Sequence, residues 1–199
     1  RGICPRIWKG LVMAINLKTL SKPEGQRPII ATLFGEGGMG KTTLASMFPK
    51  PVFIRTEDGT ASLVGNNDVS LFPLATSSQD VLDAIEALAT ENHDHKTLVI
   101  DSITQLATMI ESEIVEADPK AKSISQAGGG YGSGYGQASE RHAQIREWAG
   151  SLAYEVGMNI VFIGHADTET LTLPDMDPYN RYCVRMHKKS IPHYTDNVD

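Results

Sequence analysis

Short apolar runs alternate along the chain with stretches in which apolar residues recur every three or four positions. Residues 29–34, IIATLF, form an apolar, β-prone run bounded by Pro28 and Gly35, and predict a first strand. Lys41 to Phe48 reads as a helix start, stopped by Pro49. Residues 51–54, PVFI, predict a second strand. Residues 69–75, VSLFPLA, predict a third, which Pro73 confines to an edge or an irregular segment. Ser77 and Asp80 open a helix as a capping box, with Val81, Leu82, Ile85, Leu88 and Ala89 as its apolar stripe. Residues 97–101, TLVID, read as a buried strand with an acid at its end. Ile103, Leu106, Ala107, Ile110 and Ile114 then keep helical spacing up to Pro119.

Residues 120–137 break the pattern. They are dense in Gly and Ser, carry Tyr131 and Tyr135, and predict a flexible loop. A long amphipathic helix is expected at about 138–156, with Gly157 just past its end. Residues 159–164, NIVFIG, predict a buried strand ending at His165. The tail holds hairpin-like TETLTL, turn-rich PDMDPYN and the basic stretch RYCVRMHKK. No internal repeat is visible. Alternating buried strands and helices predict an α/β fold with a mostly parallel central sheet and helices on both faces. Ligands of such sheets bind at the carboxyl ends of the strands, where FIRTEDG, TLVID and FIGH all place polar residues.

At 199 residues and 41% hydrophobic, the chain suits one compact domain. The net charge of −6 argues against a uniformly basic nucleic-acid binder and leaves room for a local basic patch. Cys4 and Cys183 make neither a metal motif nor a disulfide framework, so a reducing, cytoplasmic setting is expected. No run reaches the roughly 18–20 apolar residues of a membrane span, and no signal peptide is visible. Met13 begins a sequence that reads like an ordinary start. Residues 1–12 are therefore expected to be upstream leader or read-through, with a short N-terminal arm as the alternative. Residues 13–199 are expected to form the single domain, and a strand beginning near HYTDNVD implies continuation past Asp199.

Gly35-Glu36-Gly37-Gly38-Met39-Gly40-Lys41-Thr42 matches the phosphate-loop pattern G-x-x-x-x-G-K-[ST], with a strand before it and a helix after it. Its backbone N–H groups and the helix N-terminus suit a triphosphate. Lys41 is expected to reach the β- and γ-phosphates and Thr42 to hold Mg2+, with Thr43 next in the nucleotide-binding set. Asp101 is expected to share the Mg2+; its alternative is the cap of the following helix, together with Ser102.

The cluster Arg55-Thr56-Glu57-Asp58-Gly59 is either a solvated turn or a catalytic edge. If strand 51–54 lies beside the phosphate-loop strand, Glu57 stands at the same sheet edge and can polarise a water for attack on the γ-phosphate. Asp58 is the competing base. His165 is a candidate for contact with the γ-phosphate, or merely structural. Tyr131 and Tyr135 are candidates for stacking on bases, with Lys120 and Lys122 on phosphates; the alternative is a plain linker. Arg181, Arg185, Lys188 and Lys189 form the marked basic cluster, read as a nucleic-acid contact, a finger reaching a neighbouring subunit's nucleotide, or a solvated charge run.

GEGGMGKT, a strand ending in Glu57, LVIDS, a long helix and VFIGH together resemble the RecA-like P-loop ATPase core. More closely they resemble phage nucleotide-binding AAA-type proteins, the core-only RecA-like recombinases and single-strand annealing factors. The likeness spans roughly residues 28–199. It implies Lys41 and Thr42 as the Walker A pair, Asp101 as the Walker B acid and Glu57 as the water-activating glutamate. His165 stands where RecA proteins usually carry a glutamine, a departure. The resemblance also implies ATP and Mg2+ as cofactors, DNA recombination as the setting, and single-stranded DNA held by residues 120–137 and the stretch after His165. It further implies a homo-oligomeric ring or filament, with a single-strand-binding protein as a further partner.

Other classes fit less well. A small-molecule or nucleoside kinase needs an acceptor pocket and an arginine-bearing lid, and residues 120–137 hold no arginine. A GTPase needs an N-K-x-D motif, which is absent. A non-catalytic adaptor, using ATP only to order its loops, is separated from an ATPase by turnover alone.

Overall fold

The computed structural model describes residues 27–59, 63–66 and 68–199. The expected leader at 1–12 lies outside them. A six-stranded sheet forms the centre, in the order β1-β5-β4-β2-β3, with β6 added to β5. Strands β1 (Ile30–Gly35), β2 (Pro51–Arg55), β3 (Ser70–Leu74), β4 (Thr97–Asp101) and β5 (Asn159–Leu173) pair in parallel. β6 (Met176–Val184) runs antiparallel to the outer half of β5. This is the α/β P-loop architecture that the alternating pattern predicts.

Alternate strand residues point to opposite faces, and each face has its own core. Val52, Ile54, Leu98, Ile100, Ile160 and Phe162 pack under α2 (Ser78–Thr90), α3 (Ile103–Ala117) and α4 (Ser133–Ser151). Phe53, Val99, Val161 and Ile163 pack on the other face with Ala45 of α1 (Lys41–Ser46) and Leu63. β3 is the edge strand that Pro73 requires, and its pairing with β2 slips between Phe53 and Arg55. The Ser77–Asp80 capping box is formed, and Val81, Leu82, Ile85 and Leu88 are buried as expected. Ala84, not Ala89, completes that buried face.

Three expectations are corrected. First, β2 does not lie beside β1, because β5 and β4 stand between them. Glu57 reaches the same sheet edge nonetheless, since all four strands are parallel. Second, β5 does not end at His165. It runs on to Leu173 and turns back as β6 into a two-stranded ribbon. TETLTL pairs with β6 from Thr168 to Leu171 and again at Leu173, with a register shift between Leu171 and Leu173. Third, residues 120–137 are not one flexible loop. A short 3-10 turn covers Ala127–Gly129, and α4 begins at Ser133 instead of 138, so Tyr135 is helical. Gly134 is tolerated inside this helix because it is buried, where a Cβ would run into the Ile124 carbonyl oxygen. The helix continues with wider turns over Leu152–Val156 and stops at Gly157, as expected, with φ 79°.

The last described residues close over β1. A short α5 (Pro192–Thr195) buries Tyr194 completely. The Tyr194 hydroxyl meets His142 Nδ1 of α4 at 2.8 Å, and the Tyr194 carbonyl accepts from Thr32 Oγ1 of β1 at 2.5 Å. The Asp199 N–H donates to the Ile30 carbonyl over 2.9 Å.

Burial holds the His142 imidazole neutral and lowers its pKa to about 4, with His193 nearby adding to the effect. Between about pH 6.5 and about pH 4 the unfolded chain therefore binds a proton that the folded chain refuses. Stability from this residue is complete above about pH 6.5 and falls by up to about 1.4 kcal/mol per pH unit below it. Replacing His142 by Gln keeps a polar partner for Tyr194 but does not titrate. Denaturant unfolding between pH 7 and pH 5 is expected to show a shallower loss of stability in His142→Gln than in the wild type. Equal slopes would remove this residue from the acid sensitivity.

Candidate functional site

The parallel register brings the site together. Gly35 lies opposite His165, Arg55 opposite Asp101, and Asp101 opposite Ile163. The residues just past these pairs all emerge on one edge of the sheet.

The loop after β1 carries Gly38 at φ 77° and Gly40 at φ 81°, left-handed conformations that favour glycine. They let the chain turn tightly into α1, whose first backbone N–H groups have no partner within the helix. The Lys41 ammonium donates to the carbonyls of Gly35 at 3.0 Å and Glu36 at 2.8 Å, so it lies folded over the loop. The residues from Glu36 to Gly40 are exposed, as is Thr43. Thr42 Oγ1 donates to Asp101 Oδ2 over 2.8 Å.

That bond bears on the capping alternative for Asp101. Ser102 caps α3 alone, accepting from the Gln105 N–H over 3.2 Å, which leaves the Asp101 carboxylate to Thr42. Asp101 is buried, and desolvation raises its pKa. The Thr42 hydrogen bond opposes this, nearby Glu57 adds to it, and His165 and Lys41 oppose it. A hydroxyl and a carboxylate at hydrogen-bond distance are hard oxygen donors, the set that suits Mg2+. The peptide between Asp101 and Ser102 is cis.

Glu57 follows β2 and Thr56 at the same edge. Its Oε1 lies 3.2 Å from His165 Nε2, and both side chains are about one-third exposed or less, at 34% and 26%. The two residues that sequence reading treats separately are thus a pair. His165 is held from both sides of its backbone. Its N–H donates to Thr104 Oγ1 of α3 at 2.9 Å, and its carbonyl accepts from the Arg185 N–H at 2.9 Å. Asp58 is exposed, in the bend that follows β2. Beside the Glu57–His165 pair opens a cavity of about 470 Å3, lined also by Thr104, Gln105, Glu111 and Arg185. Burial pushes the Glu111 carboxyl up from its ordinary pKa.

The remaining candidates separate into groups. Tyr131 is fully exposed, with φ 52°. Tyr135 stacks on His187, with ring centroids 3.8 Å apart and planes 11° from parallel. Ser139 Oγ donates to the Lys189 carbonyl at 3.0 Å. The start of α4 and the segment 187–189 therefore adjoin, bringing Tyr135 near Lys188 and Lys189, while exposed Tyr131 lies just ahead of α4. Lys120 and Lys122 lie on the connection between α3 and that 3-10 turn, both exposed. Arg181 is held elsewhere, on the ribbon, bonded to Glu169 at 2.6 Å. Arg185 lines the cavity beside Glu57, so the basic cluster of the sequence is split three ways.

Sequence reading misses three contributors. Thr56 bonds to the backbone of Ser102. Tyr182, exposed on β6, reaches Glu36 of the phosphate loop with its hydroxyl at 3.4 Å. His187 supplies the stacking partner of Tyr135. Only Thr56 carries a local signal, as a hydroxyl next to a catalytic candidate; the other two depend on a ribbon and a long-range pairing that no local pattern reveals.

Among the described residues no helix is long and apolar enough to cross a membrane. No curated protein matches the chain. A family model described as AAA domain matches residues 27–199. With a phosphate loop on a mostly parallel sheet and that match over most of its length, the chain belongs to the AAA domain family, a nucleotide-binding ATPase type of domain.

Proposed function

We propose that this protein is a Mg2+-dependent ATPase of the RecA-like class that acts on single-stranded DNA in phage-type recombination, annealing or replication. The observation that carries the reading is the convergence on one sheet edge of two bonded pairs, Thr42 with Asp101 and Glu57 with His165. Lys41 and the backbone N–H groups of Gly35 to Thr43 hold the phosphates. Thr42 and Asp101 would hold Mg2+, which would supply neutralisation of the phosphate charge. Glu57 accepts the proton of the attacking water, and His165 orients the Glu57 carboxylate through Nε2. Single-stranded DNA lies across the surface of Tyr131, Tyr135, Lys188 and Lys189, with Lys120 and Lys122 at its margin and Arg181 on the ribbon. The protein works as a homo-oligomeric ring or filament in the cytoplasm, where a single-strand-binding protein is a natural partner.

A second reading has one observation in its favour. The cavity beside Glu57, with Arg185 on its wall, has room for a small acceptor whose hydroxyl Glu57 would deprotonate in a kinase. Product analysis separates the two. Release of inorganic phosphate without any acceptor, accelerated by single-stranded DNA, supports the ATPase. Phosphate release that stays negligible until a hydroxyl acceptor is added supports the kinase.

Lys41→Ala is expected to abolish ATP binding or turnover, read by fluorescent-nucleotide titration and phosphate release; retained hydrolysis would overturn the phosphate-loop assignment. Glu57→Gln should keep nucleotide affinity within a few-fold and lower kcat by about 100-fold or more. Unchanged turnover would move the base elsewhere. Tyr131→Ala and Tyr135→Ala should each weaken single-strand binding by about 1–3 kcal/mol per stacked base. Joint replacement of Lys188 and Lys189 by Ala should reduce the slope of log affinity against log salt by about 0.7 per lost phosphate contact. Titrations of a labelled oligonucleotide at several salt concentrations measure both, and unchanged affinity and slope would take DNA off this surface.

A further inference from the structure

Thr56 stands between the two halves of the site. It is the last buried residue after β2 and immediately precedes Glu57. Its side chain is 5% exposed, and its hydroxyl makes two bonds with one residue of the neighbouring strand end. Thr56 Oγ1 donates to the Ser102 carbonyl at 2.7 Å and accepts from the Ser102 N–H at 2.8 Å. The Thr56 backbone adds a third bond, from its N–H to the Asp101 carbonyl at 2.8 Å. Ser102 is itself fully buried and caps α3 through its own hydroxyl.

Regular sheet pairing between β2 and β4 ends at Arg55 and Asp101. Beyond that pair, two strand ends would be free to splay as each enters its own loop. The Thr56 hydroxyl replaces the missing ladder bonds with a donor and an acceptor on one atom. A hydroxyl is the smallest side-chain group that offers both at once. Serine also offers them, but threonine adds a methyl that fixes its rotamer in a buried site.

We propose that Thr56 is a positioning residue for hydrolysis: its hydroxyl locks the Asp101–Ser102 backbone to that of Glu57, so that the metal-side acid and the water-side acid keep a fixed separation. This inference rests on the ATPase reading. Nothing in it requires Thr56 to touch the nucleotide. Its loss should therefore leave binding intact and act on the chemical step, in which an error of about 1 Å in the placing of a catalytic group costs on the order of 100-fold.

The test uses the full chain and Thr56→Val, which keeps the shape and removes the hydroxyl, with Thr56→Ser as the conservative variant. Steady-state ATP hydrolysis is measured with and without single-stranded DNA, and nucleotide affinity by fluorescent-nucleotide titration. Thr56→Val is expected to lower kcat by 10- to 100-fold, with nucleotide affinity within about 3-fold of wild type. Thr56→Ser should recover at least about one-third of wild-type kcat, as expected when both hydrogen bonds persist. In the Glu57→Gln background, Thr56→Val should produce no further loss, because a group acting through Glu57 has nothing left to position. Should the valine variant fail to fold, Thr56→Ala carries the same expectation.

A folded valine or alanine variant with wild-type kcat overturns the inference. So does a loss confined to nucleotide affinity, or a full second loss on top of Glu57→Gln. These results are distinct from failure of the ATPase reading itself, which would appear as negligible phosphate release by the wild type until a hydroxyl acceptor is added.

Discussion

Parallel pairing of β1, β5, β4 and β2 is the constraint on which the site depends. β2, β4 and the inner half of β5 are buried on both faces, so none of them can slip by one residue without turning apolar side chains out of two cores at once. Each fully buried Val, Ile or Phe contributes about 1.5–3 kcal/mol, and a shift of register would forfeit several such contributions together. The register thereby fixes the order along the edge: phosphate loop, His165, Asp101, Glu57. Four segments far apart in the chain meet at one edge as two bonded pairs because the register sets Gly35 opposite His165 and Arg55 opposite Asp101. β5 is the central member of this arrangement. It pairs with β1 and β4 in the core, carries His165 at the edge, and continues outward to pair with β6.

Electrostatics at this edge is a balance of two carboxylates against mobile and fixed cations. Asp101 is buried and near Glu57, and both facts disfavour its charge. Lys41, His165 and the Thr42 hydroxyl act the other way. A nucleotide would add further negative charge to an edge that already holds two acids. On the proposed reading, a divalent cation held by Thr42 and Asp101 would offset that charge, and Lys41 would exchange the Gly35 and Glu36 carbonyls for the phosphates.

Much of this was legible in the sequence, and the failures have physical causes. The phosphate loop, the capping box, the edge strand with Pro73 and the buried strand ending in Asp101 are all local. Each is written in residues within about ten positions of one another, where turn chemistry and periodicity act directly. The strand order was not legible. PVFI and IIATLF carry the same apolar signal whether adjacent or two strands apart, and only the packing of the whole sheet decides. The hairpin-like TETLTL does form one arm of a ribbon, but its continuity with the buried strand through His165, and the strand formed by turn-rich PDMDPYN, carry no local signal because these segments are exposed and polar. In residues 120–137 glycine was read as freedom. At Gly134 it is instead a close approach to the Ile124 carbonyl, a demand for absence of a Cβ that composition cannot express.

The same misreading explains why the basic cluster came apart. Arg181, Arg185, Lys188 and Lys189 are neighbours in sequence, but the first lies in a paired strand, the second follows that strand beside the Glu57 cavity, and the last two lie past it. In a two-stranded ribbon successive side chains alternate between faces, so nearness in sequence says little about a shared surface. Long-range contacts regroup the residues instead. The Tyr135–His187 stack and the Ser139–Lys189 bond tie the lysines to the start of α4, and the backbone bond from Arg185 to His165 ties the arginine to the site. Arg185 thus lines the cavity at the edge, while Lys188 and Lys189 stand exposed beside the start of α4. Nearness in sequence makes them one cluster, and the pairing of β5 with β6 divides it.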